Sequence, residues 1–367
     1  MNNKVILFAL SIKGAMGQYI HCLMTNLSKK CDISLYCPDH YEFKNEPYKI
    51  NLFRTGHNKI TAGISLLNIN RALCLANKII SEKPNIVHIF SGEGYPWAII
   101  VSYLLMKSNV PFLITIHDPN PHYRDFLGGI NNWLRIFSIK KASLIHVHSK
   151  NAKTLMEKKG IPASKIKIIP HGIFKEIFEK YLNQAEIMDN NKLKKDGILF
   201  FGRIERYKGL DIYLKAAQIL GDKFTYIIAG PGNFSKKEKR LLKKLARERC
   251  KIINRYLENY EIPGLFKRSL VTVLPYRDAS QSSIPFISAM LGVPTVASAV
   301  GGFLEDIPEV NGILVKPNDP YALANGILKA INKKPTYPVE REFKYLAPKF
   351  MELYNEAENI VQINHRN

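Results

Sequence analysis

One pattern restricts the fold more than any other: an apolar run of strand length, then a loop, then apolar residues at helical spacing, repeated along the chain. Lys4 to Ile12 is such a run. The loop Lys13-Gly14-Ala15-Met16-Gly17 follows it, then Ile20, Leu23, Met24 and Leu27 share one helical face before the next run, Asp32 to Cys37. Further runs stand at Asn85 to Phe90, Phe112 to Asp118, Leu144 to Ser149 and Lys165 to Pro170, separated by helical stretches such as Leu66 to Ile80. Strands joined through helices lie parallel, so this alternation predicts an α/β fold with a doubly wound parallel sheet.

The alternation then stops and starts again. From Phe174 to Asp196 charged and amide residues dominate, after which strands are predicted at Ile198 to Phe201, Phe224 to Ala229, Lys251 to Asn254, Leu270 to Pro275 and Thr295 to Ser298. A chain of 367 residues is too long for one ordinary core. Two Rossmann-like domains are therefore expected, at 1–180 and 197–340, with a linker at 181–196 and a closing helical segment at 341–367. Ser235 to Glu238 forms a capping box ahead of Leu241, Leu242 and Leu245, and Asp319-Pro320 opens the helix through Leu323 and Ile327.

Composition narrows the function classes. No apolar run is long enough to span a bilayer and Met1 to Lys4 lead straight into a strand, so a cytoplasmic protein is expected. Cys22, Cys31, Cys37, Cys74 and Cys250 lack metal-ligand spacing and read as reduced thiols. The net charge of +22 fits a polyanionic partner, and equally a background rich in Lys, Ile and Asn. Nucleic-acid motifs are missing and the basic residues are not interleaved with aromatics, which ranks nucleic acid last among partners. The basic stretch Lys236 to Arg249 reads as a solvated outer face in preference to an anion-binding one, because its leucines fix the buried side.

The densest chemistry is in GILFFGRIERYKGLDIYLKAAQ, Gly197 to Gln218, which reads as strand, basic loop and helix. Arg203 and Lys208 set two cations beside a helix start at the carboxyl edge of a sheet, where anions are favoured. The same residues suit an ordinary βα turn with two solvated charges. Gly230-Pro231-Gly232 closes a later strand with a second glycine loop. His117, in Thr115-Ile116-His117-Asp118-Pro119, stands at a strand end where catalytic groups collect, and a structural role suits it equally. His146 and His148 alternate on one strand face and could pair on a metal, but no third ligand is in register and packing is the favoured reading. Trp133, Leu134, Ile136, Phe137 and Ile139 beside Arg135, Lys140 and Lys141 suit either an anionic lipid surface or, preferably, packing on the sheet.

Taken in order, FFGRIERYKGLDIYLKAA, LPYRDASQSSIPFISAMLGVPTVASAVGG, the amino-terminal glycine loop, PNIVHIF, TIHDPNPH and KIKIIPHGI resemble the family 4 (group 1) glycosyltransferases of the GT-B fold. The resemblance covers nearly the whole chain. It implies two Rossmann-like domains facing across a cleft, nucleotide sugar held mostly by the second, acceptor by the first, and a final helix that returns to the first. By position, Arg203 and Lys208 would clamp the diphosphate of a UDP- or GDP-sugar, with Gln281, Ser282 and Ser283 offering hydroxyls and helix-start amides. Gly230 and Gly232 would admit backbone close to the nucleoside, Gly17 would leave room at the front of the cleft, and His117 would hydrogen-bond the transferred sugar. Such cations make a metal unnecessary.

One departure stands out. Many members carry two glutamates in the segment that begins here at Ala279, and the aligned positions hold Ala279 and Ile287. The tract YRDASQS resembles a subgroup with a serine-rich loop in their place. The resemblance implies transfer, with retention, to a surface-polysaccharide, lipopolysaccharide or lipid-linked glycan acceptor. From its own residues the enzyme is expected free in the cytoplasm or, through the segment from Trp133 to Lys141, peripheral on the inner face of the membrane. The alternative is a non-catalytic subunit of the same fold that binds glycan or lipid diphosphate.

Overall fold

The computed structural model describes residues 3–56, 59–119, 128–179, 181 and 195–366. Most of the linker expected at 181–196 lies outside these residues, as do Asn120, Pro121 and His122 of the TIHDPNPH tract. The chain divides into two compact units, residues 1–172 with 343–367, and residues 173–342.

In the first unit the elements run β1 (Lys4–Ala9), α1 (Ala15–Leu27), β2 (Asp32–Pro38), β3 (Lys49–Phe53), α2 (Lys59–Leu66), α3 (Ile69–Ser81), β4 (Ile86–Ser91), α4 (Pro96–Lys107), β5 (Phe112–Ile116), α5 (Gly128–Lys141), β6 (Leu144–Val147), α6 (Lys150–Lys158) and β7 (Ile166–Ile168). The seven strands lie in the order β3-β2-β1-β4-β5-β6-β7, every pair parallel. The order reverses between β1 and β4, the switch point at which open sheets of this type leave a crevice at their carboxyl edge. Val5 to Ala9 are each wholly buried, because helices cover both sheet faces and every side chain of a central strand needs an apolar neighbour.

The second unit runs β8 (Gly197–Phe201), α7 (Leu210–Leu220), β9 (Thr225–Ala229), α8 (Lys236–Leu242), β10 (Cys250–Ile253), α9 (Glu261–Lys267), β11 (Ser269–Leu274), α10 (Ile284–Met290), β12 (Thr295–Ser298), α11 (Phe303–Glu309), β13 (Ile313–Val315) and α12 (Pro320–Ala330). Its six parallel strands take the order β10-β9-β8-β11-β12-β13, with β8 at the switch point. The last helix, α13 (Phe343–Arg366), groups with the first unit and packs on α1.

Two differences from the sequence reading have simple causes. The half-exposed strand β3, KINLF, and the three-residue β13 carry too little apolar pattern to be seen alone, and become strands by pairing with β2 and β12. The helix expected from Leu66 to Ile80 is broken, because the Asn68 side chain accepts the Arg71 N–H at 3.0 Å and starts α3 afresh. The leucines of 241–245 are partly buried while Lys236, Lys237, Lys239, Arg240, Lys243 and Lys244 are exposed, so the basic stretch is a solvated face. Both predicted caps form: Ser235 and Glu238 exchange their two bonds, and the Asp319 carboxylate accepts from Tyr321 and Ala322 N–H at 3.0 Å each.

Candidate functional site

In the second unit the chain leaves β8 at Gly202, whose N–H donates to Ala229 O at 2.8 Å, and Ile204 N–H donates to Pro231 O at 2.8 Å. The basic loop is thus laid directly along the glycine loop after β9. A Cβ on Gly230 would fall 2.2 Å from Gly202 O, and one on Gly232 would fall 2.6 Å from Ile204 atoms. The 202–204 backbone therefore already accounts for both glycines.

The two cations of this loop have different surroundings. Arg203 keeps 57% of its side chain in solvent and pairs with Glu205 at 3.1 Å. Lys208 is only 8% exposed; its Nζ donates to the Tyr276 hydroxyl at 2.9 Å and lies 4.8 Å from the centre of that ring. Burial pushes the Lys208 ammonium below its ordinary pKa, Tyr207 opposes that shift, and Arg203 adds to it. A Cβ on Gly202 would stand 2.8 Å from Lys208 Nζ, so the ammonium occupies the space that glycine leaves.

The loop is braced from the side. Asp211, in the first turn of α7, accepts from Lys237 at 2.6 Å and from Arg277 at 2.7 Å. Burial would raise the Asp211 pKa, but these two cations outweigh it and the carboxyl is held below its usual value. Arg277 also donates to Arg206 O at 2.7 Å and, through its backbone, to Tyr207 O. Ser282 Oγ accepts the Ile284 N–H at 3.3 Å and hydrogen-bonds the Tyr276 hydroxyl. Lys208, Tyr276 and Ser282 are thereby linked, whereas Gln281 and Ser283 stand half-buried beside them. Ala279 and Ile287 are 3% and 4% exposed, with no carboxylate in their place.

Tyr276 was absent from the sequence reading although it lies within the quoted LPYRDASQSS. Its aromatic ring at a strand end reads as core, and nothing local reveals that its hydroxyl meets a lysine from another strand's loop.

In the first unit β5 delivers His117 to the sheet edge, but both of its ring nitrogens face protein atoms. Nε2 lies 2.9 Å from Phe90 O and Nδ1 lies 3.1 Å from His148 Nε2. Behind them runs a buried chain: Tyr354 hydroxyl to His88 Nδ1 at 2.9 Å, His88 Nε2 to Thr115 Oγ1 at 2.7 Å, Thr115 Oγ1 to His146 Nδ1 at 2.9 Å, and His146 Nε2 to Ile169 O at 2.9 Å. The carbonyl can only accept, so every donor points toward it and both His88 and His146 are neutral Nε2–H tautomers. Burial holds these rings neutral, pushing His146 down to about 3 and His117 to about 4. Of the two readings of His146 and His148, packing is the one observed. Gly17 sits where a Cβ would be 2.4 Å from Ile12 O, so its small size lets α1 lie close against the loop that follows β1.

The 133–141 segment separates into two faces. Arg135 is 1% exposed and donates to Glu93 Oε1 at 3.0 Å and Asp118 O at 2.6 Å. Ile139 is also buried. Trp133, 67% exposed, and Phe137 line an apolar groove of about 320 Å³ with Leu73, Ile100 and Tyr103, with Lys107 and Lys141 over the Tyr103 and Phe137 rings. Among the described residues no helix is long and apolar enough to cross a membrane.

Comparison with known proteins matches residues 183–349 to the family model "Glycosyl transferases group 1" and residues 16–176 to "Glycosyltransferase Family 4". A Klebsiella pneumoniae protein described as an uncharacterized 41.2 kDa protein in a cps region is 24% identical over 86% of each chain. A D-inositol 3-phosphate glycosyltransferase of Xylanimonas cellulosilytica is 25% identical over 50% of this chain and 47% of its own length, so the match spans about half of that relative. Among solved structures, sucrose-phosphate synthase of Thermosynechococcus elongatus aligns at TM-score 0.71 and 16% identity, covering 99% of this chain and 94% of that one. Anabaena HepE in complex with UDP and glucose aligns at TM-score 0.68 and 16% identity, covering 100% and 98%.

Proposed function

The chain belongs to the group 1, family 4 glycosyltransferases of the GT-B fold, and from that premise we propose that it moves a sugar from a UDP- or GDP-sugar to a surface-polysaccharide, lipopolysaccharide or lipid-linked glycan acceptor. The observation that carries the donor half is the pairing of Arg203 with a buried Lys208 on the loop that leaves β8. A nucleoside diphosphate gains charge as the glycosidic bond breaks, and cations fixed before the reaction stabilise that charge more than the bound donor. Arg203 and Lys208 take this role, Ser282 and Ser283 with Gln281 complete the diphosphate site, and Gly230 and Gly232 border the nucleoside. Two fixed cations supply charge stabilisation without a metal.

His117 contacts the transferred sugar by turning Nε2 away from Phe90 O, and Gly17, by letting α1 lie close against the loop after β1, leaves room for the donor in front of it. Transfer proceeds with retention, as the resemblance implies. The HepE complex with UDP and glucose supports a uridine donor, and the relative from a cps region supports a glycan acceptor. The protein works in the cytoplasm, with the Trp133–Phe137 groove and its lysines resting on the anionic inner face of the membrane. Failure to sediment with anionic vesicles at low salt removes that last element.

A second reading follows from Ala279 and Ile287: without carboxylates there, the same site binds a lipid diphosphate or glycan and performs no chemistry. One experiment separates the two. The native chain and its Arg203→Ala and Lys208→Ala variants are titrated with UDP and GDP, then assayed with UDP- and GDP-sugars and lipid-linked acceptors. Transfer that falls about 10²-fold to 10³-fold in either variant supports the enzyme. Nucleotide or diphosphate binding without transfer supports the binding subunit, and neither binding nor transfer overturns both.

A further inference from the structure

A proton count around Tyr276 shows what the loop can bind. Lys208 has three N–H bonds and no acceptor capacity, so the Tyr276 oxygen must accept from it. That bond takes one ammonium proton, and two Lys208 N–H bonds remain over, both of them donors. Tyr276 is 2% exposed and Lys208 lies across its ring at 4.8 Å, so neither group can swing away without opening the core behind it. No carboxylate pairs with Lys208 among the described residues.

We propose that Tyr276 is a positioning residue for the diphosphate of the donor: it anchors the buried Lys208 ammonium through one N–H, so that the remaining N–H bonds are presented to an anion. This rests on the reading of that loop as the donor-diphosphate site. The ligand class is a nucleoside diphosphate, and the phosphate oxygens rather than the base or ribose carry the effect. The arrangement also explains how the site holds together with Ala279 and Ile287 in place of acids. The buried ammonium is balanced by an aromatic face and a hydroxyl, and its charge stays available to the ligand.

The test is calorimetric titration of UDP, inorganic pyrophosphate and uridine into the native protein, Tyr276→Phe, Lys208→Ala and the double variant. Loss of the hydroxyl keeps the ring, and UDP and pyrophosphate should each bind roughly tenfold more weakly to Tyr276→Phe while uridine is unaffected. In the Lys208→Ala background the same change should cost less than twofold, because the tyrosine acts through the lysine. If Tyr276→Phe does not fold, Tyr276→Met, which also lacks the hydroxyl, takes its place with the same expected losses. Native-like UDP affinity in Tyr276→Phe, an equal loss for uridine, or an undiminished loss in the Lys208→Ala background overturns the proposal and leaves the diphosphate site standing. Absence of UDP and pyrophosphate binding by the native protein overturns both.

Discussion

His148 Nε2 lies 3.1 Å from His117 Nδ1, and the pair bridges two backbone carbonyls, Phe90 O beyond one ring and Ile169 O beyond the other. Three contacts need three ring protons, and two neutral imidazoles carry two. Burial nevertheless holds both rings neutral, with His117 at about 4 and His148 well below its usual value. The first unit therefore keeps a proton-poor pair at its sheet edge, beside a chain of neutral histidines that ends on Ile169 O.

These histidines make the first unit sensitive to acid. Their folded pKa values lie below the ordinary 6.5, so as pH falls from 6.5 the unfolded chain takes up protons that the folded chain does not, and stability drops until the folded pKa is reached. His146, with its folded pKa near 3, should alone remove about 2 kcal/mol between pH 7.5 and pH 5. Both tryptophans, Trp97 and Trp133, belong to the first unit, so urea unfolding followed by their fluorescence reports it selectively. A midpoint unchanged between those two pH values would show that the rings are not buried neutral.

Gly209 fixes the geometry of the basic loop. It has φ +72° between the 206–208 turn and α7, and a Cβ there would stand 2.0 Å from Pro275 O, which leads directly into Tyr276. Gly209→Ala should destabilise the second unit by about 3 kcal/mol or more and separate Lys208 from Tyr276. Gly264, in α9, has open space at its Cβ position, and Gly264→Ala should be neutral or slightly stabilising. Calorimetric melting of the two variants side by side checks the contrast.

Asp306 gives the second unit the opposite pH response. Burial lifts its carboxyl to about 7 even though Arg341 Nη1 lies 3.2 Å away, because Arg341 is shared with Glu309 and Glu305 adds repulsion. A folded pKa above the ordinary 3.8 means stability is full below about pH 4 and is lost progressively until pH reaches about 7. Asp306→Asn should raise the melting temperature more at pH 8.5 than at pH 5.5, by the equivalent of about 2 kcal/mol. Equal effects at the two pH values would place the Asp306 pKa outside that window.

How much was legible follows from how local each signal is. Strand β1 could be read because a parallel strand covered on both faces carries an unbroken apolar run, KVILFA. The caps at Ser235 and Asp319 could be read because a cap is settled within four residues. Strands β3 and β13 could not, since their identity comes from a neighbour far along the chain. The contacts of Arg135 could not be read for a similar reason: its partners are Glu93 and the Asp118 carbonyl, and helical spacing says nothing about either.

The sequence by itself determined two α/β sheets, their glycine loops, and a basic loop carrying Arg203 and Lys208 at a sheet edge, because residue type and short-range spacing suffice for these. Only the tertiary structure decided that the two cations are unlike, Arg203 in solvent and Lys208 buried on Tyr276. The reason is strand order. β11 lies beside β8 although β9 and β10 come between them in the chain, and that pairing brings Tyr276 and Ser282 to Lys208.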